Sequence, residues 1–269
     1  RRAWYIGVLD PRSGSPILGS RKFMWLWFSK LGSPKWFYEL SGKWLPWLIG
    51  PMALLLIVGI IWALLFVPPD YQQGNTIRIM YIHVPFASIS LAFFPLMALA
   101  GTITLVWRMK LADIVAKTAA PLGAWFTALA LASGSIWGSD IWGTWWIWDG
   151  RLTSMLLQFF LLIGVISLRS ALEDAEAAAK ACAVLSIVGC INVIVIKYSV
   201  DWWNTLHQPS SPFSLSNEAP NPPEVWIPLV IMIFAVYLFF AVSLILSMRN
   251  EILVRERRSE WVQQLVQAT

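Results

Sequence analysis

The sequence predicts an all-α, polytopic membrane protein with six transmembrane helices and a tryptophan-rich segment at its outer surface. Composition is the first observation behind this prediction: of 269 residues, 58% are hydrophobic and only 13% are charged, unlike a soluble globular domain. The second is that the apolar residues gather into segments close to the roughly 20 residues that a spanning helix needs. The six segments are Trp44 to Val67, Ile79 to Trp107, Ala119 to Gly138, Thr153 to Leu168, Ala181 to Tyr198 and Val225 to Met248.

Prolines and amides mark where these spans are irregular. We expect Pro95 and Pro228 to kink the second and sixth spans, because a proline removes a helical hydrogen bond. The fourth span is the shortest and contains Gln158. Together with Asn192 in the fifth span, this residue predicts hydrogen bonds between helices, because lipid offers a buried amide no partner.

The distribution of Lys and Arg predicts the orientation of the chain in the membrane. All but three of the 20 basic residues fall in the terminal segments or in loops on the same side as the termini. Basic flanks are retained in the cytoplasm, so both termini are predicted to be cytoplasmic. Only Arg78, Arg151 and Lys197 remain for the outer side. The net charge of +5 then reflects topology and contact with membrane lipids, and it does not indicate binding to nucleic acid.

This topology divides the chain into three parts. Residues 1–43 form a cytoplasmic N-terminal segment, residues 44–248 form the six-span membrane domain, and residues 249–269 form a cytoplasmic tail. The first part shows no secretory signal, because its basic start is not followed by an apolar stretch. Its RKFMWLWFSK sequence is compatible with an interfacial amphipathic helix, and a plain cytoplasmic anchor is the alternative.

The most unusual segment is WGSDIWGTWWIWDGR, residues 137–151, in the second of three predicted outer loops. Indole rings have flat apolar faces and one N–H donor at the edge. The segment therefore fits either an interfacial aromatic belt or a binding site for a large planar ligand. At helical spacing, three of the indoles would share one face and the outer two would anchor the ends. In that order they are Trp142, Trp145 and Trp146, then Trp137 and Trp148.

Both histidines of the chain fall on the predicted outer side. His83 lies at the outer end of the second span. His207 lies in the third outer loop, where residues 201–207 are predicted to form a short surface helix. Two imidazoles beside an aromatic shelf suit haem, whose iron has two axial positions and whose macrocycle is a broad apolar disc.

Charged residues around the tryptophans fit the same ligand. Arg151 or Arg78 can pair with the haem propionates, which are carboxylates. Asp149 has two candidate roles, to orient Arg151 or to fix the indole cluster. Other sites fit less well, because a zinc site normally needs three or four His, Cys or acidic ligands. A small-solute permease would be expected to carry more polar residues within its spans.

The sequence WGTWWIWDGRLTS resembles the tryptophan-rich signature, known as the WWD motif, of haem-handling membrane proteins. The chain as a whole is similar to the CcmC family of cytochrome c maturation. SPKWFYELSGKWLPW before the first span, YIHVPFAS at the second and YSVDWWNTLHQ after the fifth occur in the order found in that family. The likeness covers roughly residues 33–248. The long signature is highly specific, whereas each histidine segment alone is weak.

The resemblance implies that haem b is held non-covalently at the periplasmic face, with His83 and His207 as axial ligands and the tryptophans around it. It also implies presentation of haem to a CcmE-type chaperone and association with an ATP-hydrolysing CcmA/CcmB complex and the small subunit CcmD. The expected location is the bacterial inner membrane. The protein is expected to be a transfer factor and not an enzyme, since any ATP hydrolysis would belong to partner subunits. A cytochrome c synthase-like enzyme and a six-span solute permease are the alternatives.

Overall fold

A computed structural model describes residues 32–207 and 222–267, which form a bundle of eight α-helices without a β-strand in those ranges. The all-α prediction is thus confirmed. The predicted interfacial helix at residues 21–30 and the distal half of the last outer loop lie outside the described residues. The helices are α1 (Pro34–Ile61), α2 (Met80–Ser90), α3 (Phe93–Trp107), α4 (Lys110–Trp142), α5 (Gly150–Ala171), α6 (Ala175–Trp202), α7 (Pro223–Arg255) and α8 (Glu260–Gln267).

Six helical segments of the described ranges are long and apolar enough to cross a membrane, as predicted, and the chain is a multi-pass membrane protein. The second segment combines a 3-10 helix, Asn75–Ile79, with α2 and α3. The first begins earlier than the predicted span, at Pro34, because Ser33 caps it and a proline suits the first turn. The Ser33 hydroxyl oxygen accepts a bond of 3.4 Å from the Trp36 N–H. The fourth segment is the shortest, at 22 residues.

The second span is interrupted where the sequence predicts a kink. α2 ends at Ser90 and α3 begins at Phe93, because Pro95 has no N–H to donate to the carbonyl one turn earlier. The interruption frees the Ser90 carbonyl, which accepts a hydrogen bond of 2.7 Å from Nε2 of Gln158 in α5. Pro228 differs, since it lies inside α7 without any break in the helix.

Buried amides and small residues hold the neighbouring helices together. Nδ2 of Asn192 in α6 donates to the Ser154 carbonyl of α5 at 2.9 Å. With the Gln158 bond, this confirms the predicted hydrogen bonds between helices. α6 also approaches α3 closely, because a Cβ on Gly101 would lie 2.9 Å from the Ala183 Cα. Close backbone contact of this kind is typical of packing in membranes.

α4 lies at the centre of the bundle, where it contacts α2, α3, α5 and α7. The largest core cluster includes Phe93, Phe94, Met97, Phe126 and Leu162. The Phe93 and Phe126 rings pack with centroids 5.7 Å apart. α1 lies at the edge and packs mainly against α7. Because four helices hold α4, the residues at its two ends are fixed in position.

A network of ion pairs, here named the carboxylate end, joins α4, α5 and α7 at the start of α4. Asp113 accepts hydrogen bonds from Arg169 Nη2 at 2.6 Å and Arg255 Nη1 at 2.7 Å. Glu251 contacts Lys117 Nζ and Arg255 Nε, each at 2.6 Å. Asp113 is only 8% exposed. The other end of α4, where the helix ends at Trp142 and lies beside His83 and His207, is here named the histidine end.

Candidate functional site

His83 lies on α2, and α4 fixes the orientation of its ring. His83 Nδ1 lies 3.1 Å from the Ala130 carbonyl oxygen and 3.1 Å from Ser133 Oγ. A carbonyl oxygen can only accept, so Nδ1 carries the proton and the lone pair of the neutral ring is on Nε2. The Ser133 hydroxyl donates to the Leu129 carbonyl at 2.7 Å, which leaves its oxygen free to accept. His83 therefore presents Nε2 in the state in which imidazole binds a metal.

Two further residues of α4 shape the space around His83. A Cβ on Gly134 would lie 2.7 Å from His83 Cε1, so the glycine makes room for the ring. Trp137 contacts the same ring edge-on, with centroids 5.7 Å apart and 67° between the planes. Nε1 of Trp137 donates to Gln73 Oε1 at 3.1 Å. Trp137 thus links His83 to the connection between the first and second spans, which contains Gln73.

Arg78 lies in the 3-10 helix that precedes α2. Its Nη2 donates to the Val67 carbonyl at 3.3 Å, which ties the start of the second span to the end of the first. Arg78 Nε is buried without a hydrogen-bond partner. Within the described ranges Arg78 forms no ion pair. A buried donor without an acceptor is costly, by about 1–3 kcal/mol, and it suits a site that receives an anion.

His207 lies beyond the end of α6, in a turn and not in a helix. The predicted helix over residues 201–207 is wrong, because α6 ends at Trp202 and the chain then leaves the helical conformation. The His207 backbone N–H donates to Thr205 Oγ1 at 3.0 Å. Such a local bond to a side chain competes with helical bonds. The His207 ring lies against Trp142, with centroids 6.0 Å apart.

Arg151, at the start of α5, is a polar neighbour of the His207 ring. Arg151 Nη1 lies 3.2 Å from His207 Nδ1, and its Nη2 lies 3.5 Å from the Lys197 carbonyl oxygen. A guanidinium group only donates, so His207 Nδ1 accepts. Arg151 Nε is buried without a hydrogen-bond partner. No ion pair of Arg151 occurs in the part of the chain that the structure describes.

Asp149 joins two helices instead of pairing with Arg151. Its Oδ1 caps α5 by accepting the Leu152 N–H at 2.7 Å, and its Oδ2 accepts a hydrogen bond from the Thr205 hydroxyl. The carboxylate thus joins the start of α5 to the turn that carries His207. Gly150 follows, and a Cβ there would lie 2.8 Å from Trp203 Cε3. The glycine allows the end of α6 to pack on the first turn of α5.

The tryptophan-rich segment is helical only as far as Trp142. Gly143 adopts the left-handed conformation, φ 71°, and ends α4. The predicted common helical face for Trp142, Trp145 and Trp146 is therefore wrong. Trp145 and Trp148 are 64% and 75% exposed. Trp146 packs against Trp148, with centroids 5.5 Å apart, and its Nε1 is buried without a partner.

The structure brings most of the predicted site residues to one end of the bundle. Trp137 contacts the His83 ring, and Trp142, at the end of the same helix, contacts the His207 ring, which Arg151 also contacts. This end therefore combines two imidazoles, exposed indoles and buried N–H donors that lack acceptors. These groups fit a flat ligand that carries both a metal and carboxylates. Arg78 lies at the same end, but its described hydrogen bond is to the Val67 carbonyl and not to a histidine.

Four residues that shape this end were missed in the sequence: Gln73, Ala130, Gly134 and Thr205. Two of them left a signal in their spacing. Gly134 precedes Trp137 by one helical turn, and Thr205 stands two residues before His207, where a hydroxyl can hold the backbone N–H. The Ala130 carbonyl and the Gln73 amide act only through tertiary contacts, so no sequence pattern marks them.

Comparisons with known proteins identify the family. A family model described as "CcmC: Heme exporter protein C" matches residues 27–263, which extends beyond residues 33–248 at both ends. The chain is 44% identical over 243 residues to "Heme exporter protein C" of Escherichia coli, covering 90% of this chain and 98% of that protein. It is 48% identical over 229 residues to the protein of the same name from Bradyrhizobium diazoefficiens, covering 85% and 86%. The corresponding Haemophilus influenzae protein is 41% identical over 244 residues, covering 91% and 99%. The chain belongs to the CcmC, Heme exporter protein C, family.

Proposed function

We propose that this protein binds haem b non-covalently at the histidine end, with His83 and His207 as axial ligands, and hands it on during cytochrome c maturation. Haem is then the cargo of the site. The observation that carries the proposal is the state of His83, whose Nδ1 is engaged by the Ala130 carbonyl and whose Nε2 is left to bind iron. The names of the relatives, Heme exporter protein C, agree with haem as the ligand.

The two arginines supply the charge that a haem carboxylate needs. Arg78 and Arg151 each have a buried Nε without an acceptor. A propionate would satisfy these donors with charge-assisted hydrogen bonds, which are stronger than neutral ones. Arg151 is bonded to His207, so one propionate is expected near that ligand. Arg78 would take the second.

The exposed tryptophans favour a role in presentation. Trp145 and Trp148 turn large apolar rings outward, where they can cover the macrocycle and contact a partner at once. A ligand held by two coordination bonds and no thioether can also be released. We therefore assign this surface to handover of haem to a CcmE-type periplasmic chaperone.

The remaining assignments follow from the same proposal. The histidine end faces the periplasm, and both termini face the cytoplasm of a bacterial inner membrane, in accord with the distribution of basic residues. ATP hydrolysis belongs to a CcmA/CcmB complex, and CcmD is a further small subunit. The chain itself acts as a binding and transfer factor, and the covalent chemistry belongs to haem and the chaperone.

The ligation is tested by the absorption spectrum of the detergent-purified protein after addition of haem. The wild type is expected to show a Soret band of a six-coordinate, low-spin iron. His83→Ala and His207→Ala should each change that spectrum, because each removes one axial ligand. If both variants keep the wild-type spectrum, axial ligation by these residues is refuted. The absence of any Soret band would refute haem binding itself.

The handover is tested by mixing the haem-loaded protein with a purified CcmE-type chaperone and following the haem. Replacement of Trp145 and Trp148 by Ala should slow transfer, because both rings are exposed. Trp125 is a matched control, since it is 70% exposed at the middle of α4, far from the histidine end. Equal transfer rates for the double variant and Trp125→Ala would contradict a handover surface at the tryptophan-rich segment.

A further inference from the structure

The two histidines hold their protons on opposite nitrogens. His83 donates from Nδ1 to the Ala130 carbonyl, and its Nε2 has the lone pair. His207 accepts at Nδ1 from Arg151 Nη1, at 3.2 Å. A neutral imidazole that accepts at Nδ1 carries its proton on Nε2. In this arrangement neither nitrogen of His207 can bind iron, because one lone pair is occupied and the other nitrogen is protonated.

Arg151 is held at His207 by weak acceptors only. Its other described hydrogen bond, to the Lys197 carbonyl, is 3.5 Å long, at the limit for such a bond. Its Nε is buried without a partner. Neither Asp149 nor Asp201 forms an ion pair with it. A carboxylate brought to this place would be a much stronger acceptor than an imidazole nitrogen.

We propose that Arg151 is a latch on His207, opened by a carboxylate of the incoming porphyrin. When a carboxylate takes the guanidinium group, His207 Nδ1 is released, the ring proton moves from Nε2 to Nδ1, and Nε2 binds iron. No proton is gained or lost by the ring in this step. His83 is then the first ligand and His207 the second. The inference rests on the proposed haem site and adds selectivity for porphyrins with free carboxylates.

The latch is tested with an iron porphyrin whose two carboxylates are methyl esters. An ester carries no charge and is a weak acceptor, so it should not draw Arg151 away. The wild type should bind ordinary haem in a six-coordinate, low-spin state and the dimethyl ester in a five-coordinate state through His83. Resonance Raman spectroscopy of the purified protein reports the coordination number directly.

Removal of the latch should reverse the effect of the ester. Arg151→Met has a side chain of similar length without donors, and it should bind the dimethyl ester in a six-coordinate state. Arg257→Met is the control, because Arg257 is exposed just beyond the end of α7, at the carboxylate end, and its ester complex should stay five-coordinate. A double change of Arg151→Met with His207→Ala should also be five-coordinate.

Two results would overturn the latch. One is a six-coordinate ester complex of the wild type, and the other is a five-coordinate ester complex of Arg151→Met. Failure of the haem site itself looks different, because neither porphyrin would then give a spectrum that depends on His83. The test therefore separates the latch from the function on which it rests.

Discussion

The two ends of the bundle contain the same kinds of charged residue and use them in opposite ways. At the carboxylate end, Asp113 and Glu251 pair with Lys117, Arg169 and Arg255 at 2.6 to 2.7 Å. At the histidine end, the two arginines contact carbonyl oxygens and an imidazole nitrogen, and no ion pair to them occurs among the described residues. At one end, carboxylates of the chain neutralise the basic side chains. At the other, the arginines have no carboxylate partner among the described residues and can pair with a ligand.

The charged side chains of the carboxylate end are paired within the chain, whereas the arginines of the proposed haem site have no carboxylate partner among the described residues. Arg169 also has a buried Nε without a partner, but Asp113 neutralises its charge. Arg78 and Arg151 have no such counterion in the described chain. An unsatisfied group of this kind lowers stability and is retained where a ligand supplies the missing acceptor. Variants that alter one end at a time separate the two roles.

The largest effect is expected from Asp113→Asn at the carboxylate end. The change leaves Arg169 and Arg255 without their common counterion in a buried setting. Removal of one partner of a buried ion pair typically costs about 3 kcal/mol or more. Thermal unfolding of the detergent-solubilised protein, followed by circular dichroism, should show a clearly lower midpoint, while the folded protein should bind haem as the wild type does.

A matched control for Asp113 is Glu176→Gln. Glu176 pairs with Lys180 at 2.8 Å on the exposed face of α6, with more than half of each side chain exposed. Exposed pairs contribute little to stability. The unfolding midpoint of this variant should equal that of the wild type. Equal midpoints for Asp113→Asn and the wild type would show that the carboxylate end does not clamp the helices.

The next largest effect is expected from Gly134→Ala at the histidine end. The added Cβ would lie 2.7 Å from His83 Cε1, so the ring must move from the position that the Ala130 carbonyl defines. Overpacking of this kind costs about 1–3 kcal/mol. A haem titration should show an affinity lower by roughly tenfold. Gly164→Ala is the control, since its nearest neighbour is Leu185 Cδ2 at 3.9 Å.

If Gly134→Ala binds haem as tightly as Gly164→Ala, the position of His83 does not govern binding. The absorption spectrum of the haem-loaded protein provides a second readout. A shifted ring should alter the ligand field of the iron as well as the affinity. Circular dichroism of both variants should remain that of a helical bundle.

The smallest effect is expected from Thr205→Val. The hydroxyl accepts the His207 N–H and donates to Asp149, so its loss frees the turn that carries His207, the proposed second ligand. One hydrogen bond contributes about 1 kcal/mol, which corresponds to roughly a fivefold loss of haem affinity. Thr205→Ser keeps the hydroxyl and should bind haem like the wild type. Similar affinities for the Val and Ser variants would contradict a role for this hydroxyl.

The fold was largely predictable, because each span is a long apolar segment and bilayer thickness fixes its length. Pro95 also marked its helix break, since a missing N–H acts locally. The site was predictable in its residue types but not in its geometry. The sequence could not show that Asp149 would bind Thr205, because the two are distant in the chain and meet only when α5 packs on α6.

The tryptophan-rich segment shows the same division between local and tertiary information. Its composition marked the site, whereas the end of α4 at Gly143 depends on a left-handed residue that a periodicity argument treats as helical. The short helix predicted over residues 201–207 failed for a related reason, since Thr205 bonds to its own turn and to Asp149. Capping and side-chain bonds decide such ends.

The central claim is that the histidine end binds haem through the charges of Arg78 and Arg151, which have no carboxylate partner in the described chain. At the carboxylate end, by contrast, carboxylates of the chain neutralise the basic side chains. The most direct test measures haem affinity and thermal unfolding together for the Arg78→Met, Arg151→Met double variant and for Asp113→Asn. The arginine variant should lose at least about tenfold in haem affinity and keep its unfolding midpoint. Asp113→Asn should do the reverse. An arginine variant that unfolds early and binds haem like the wild type would contradict the claim.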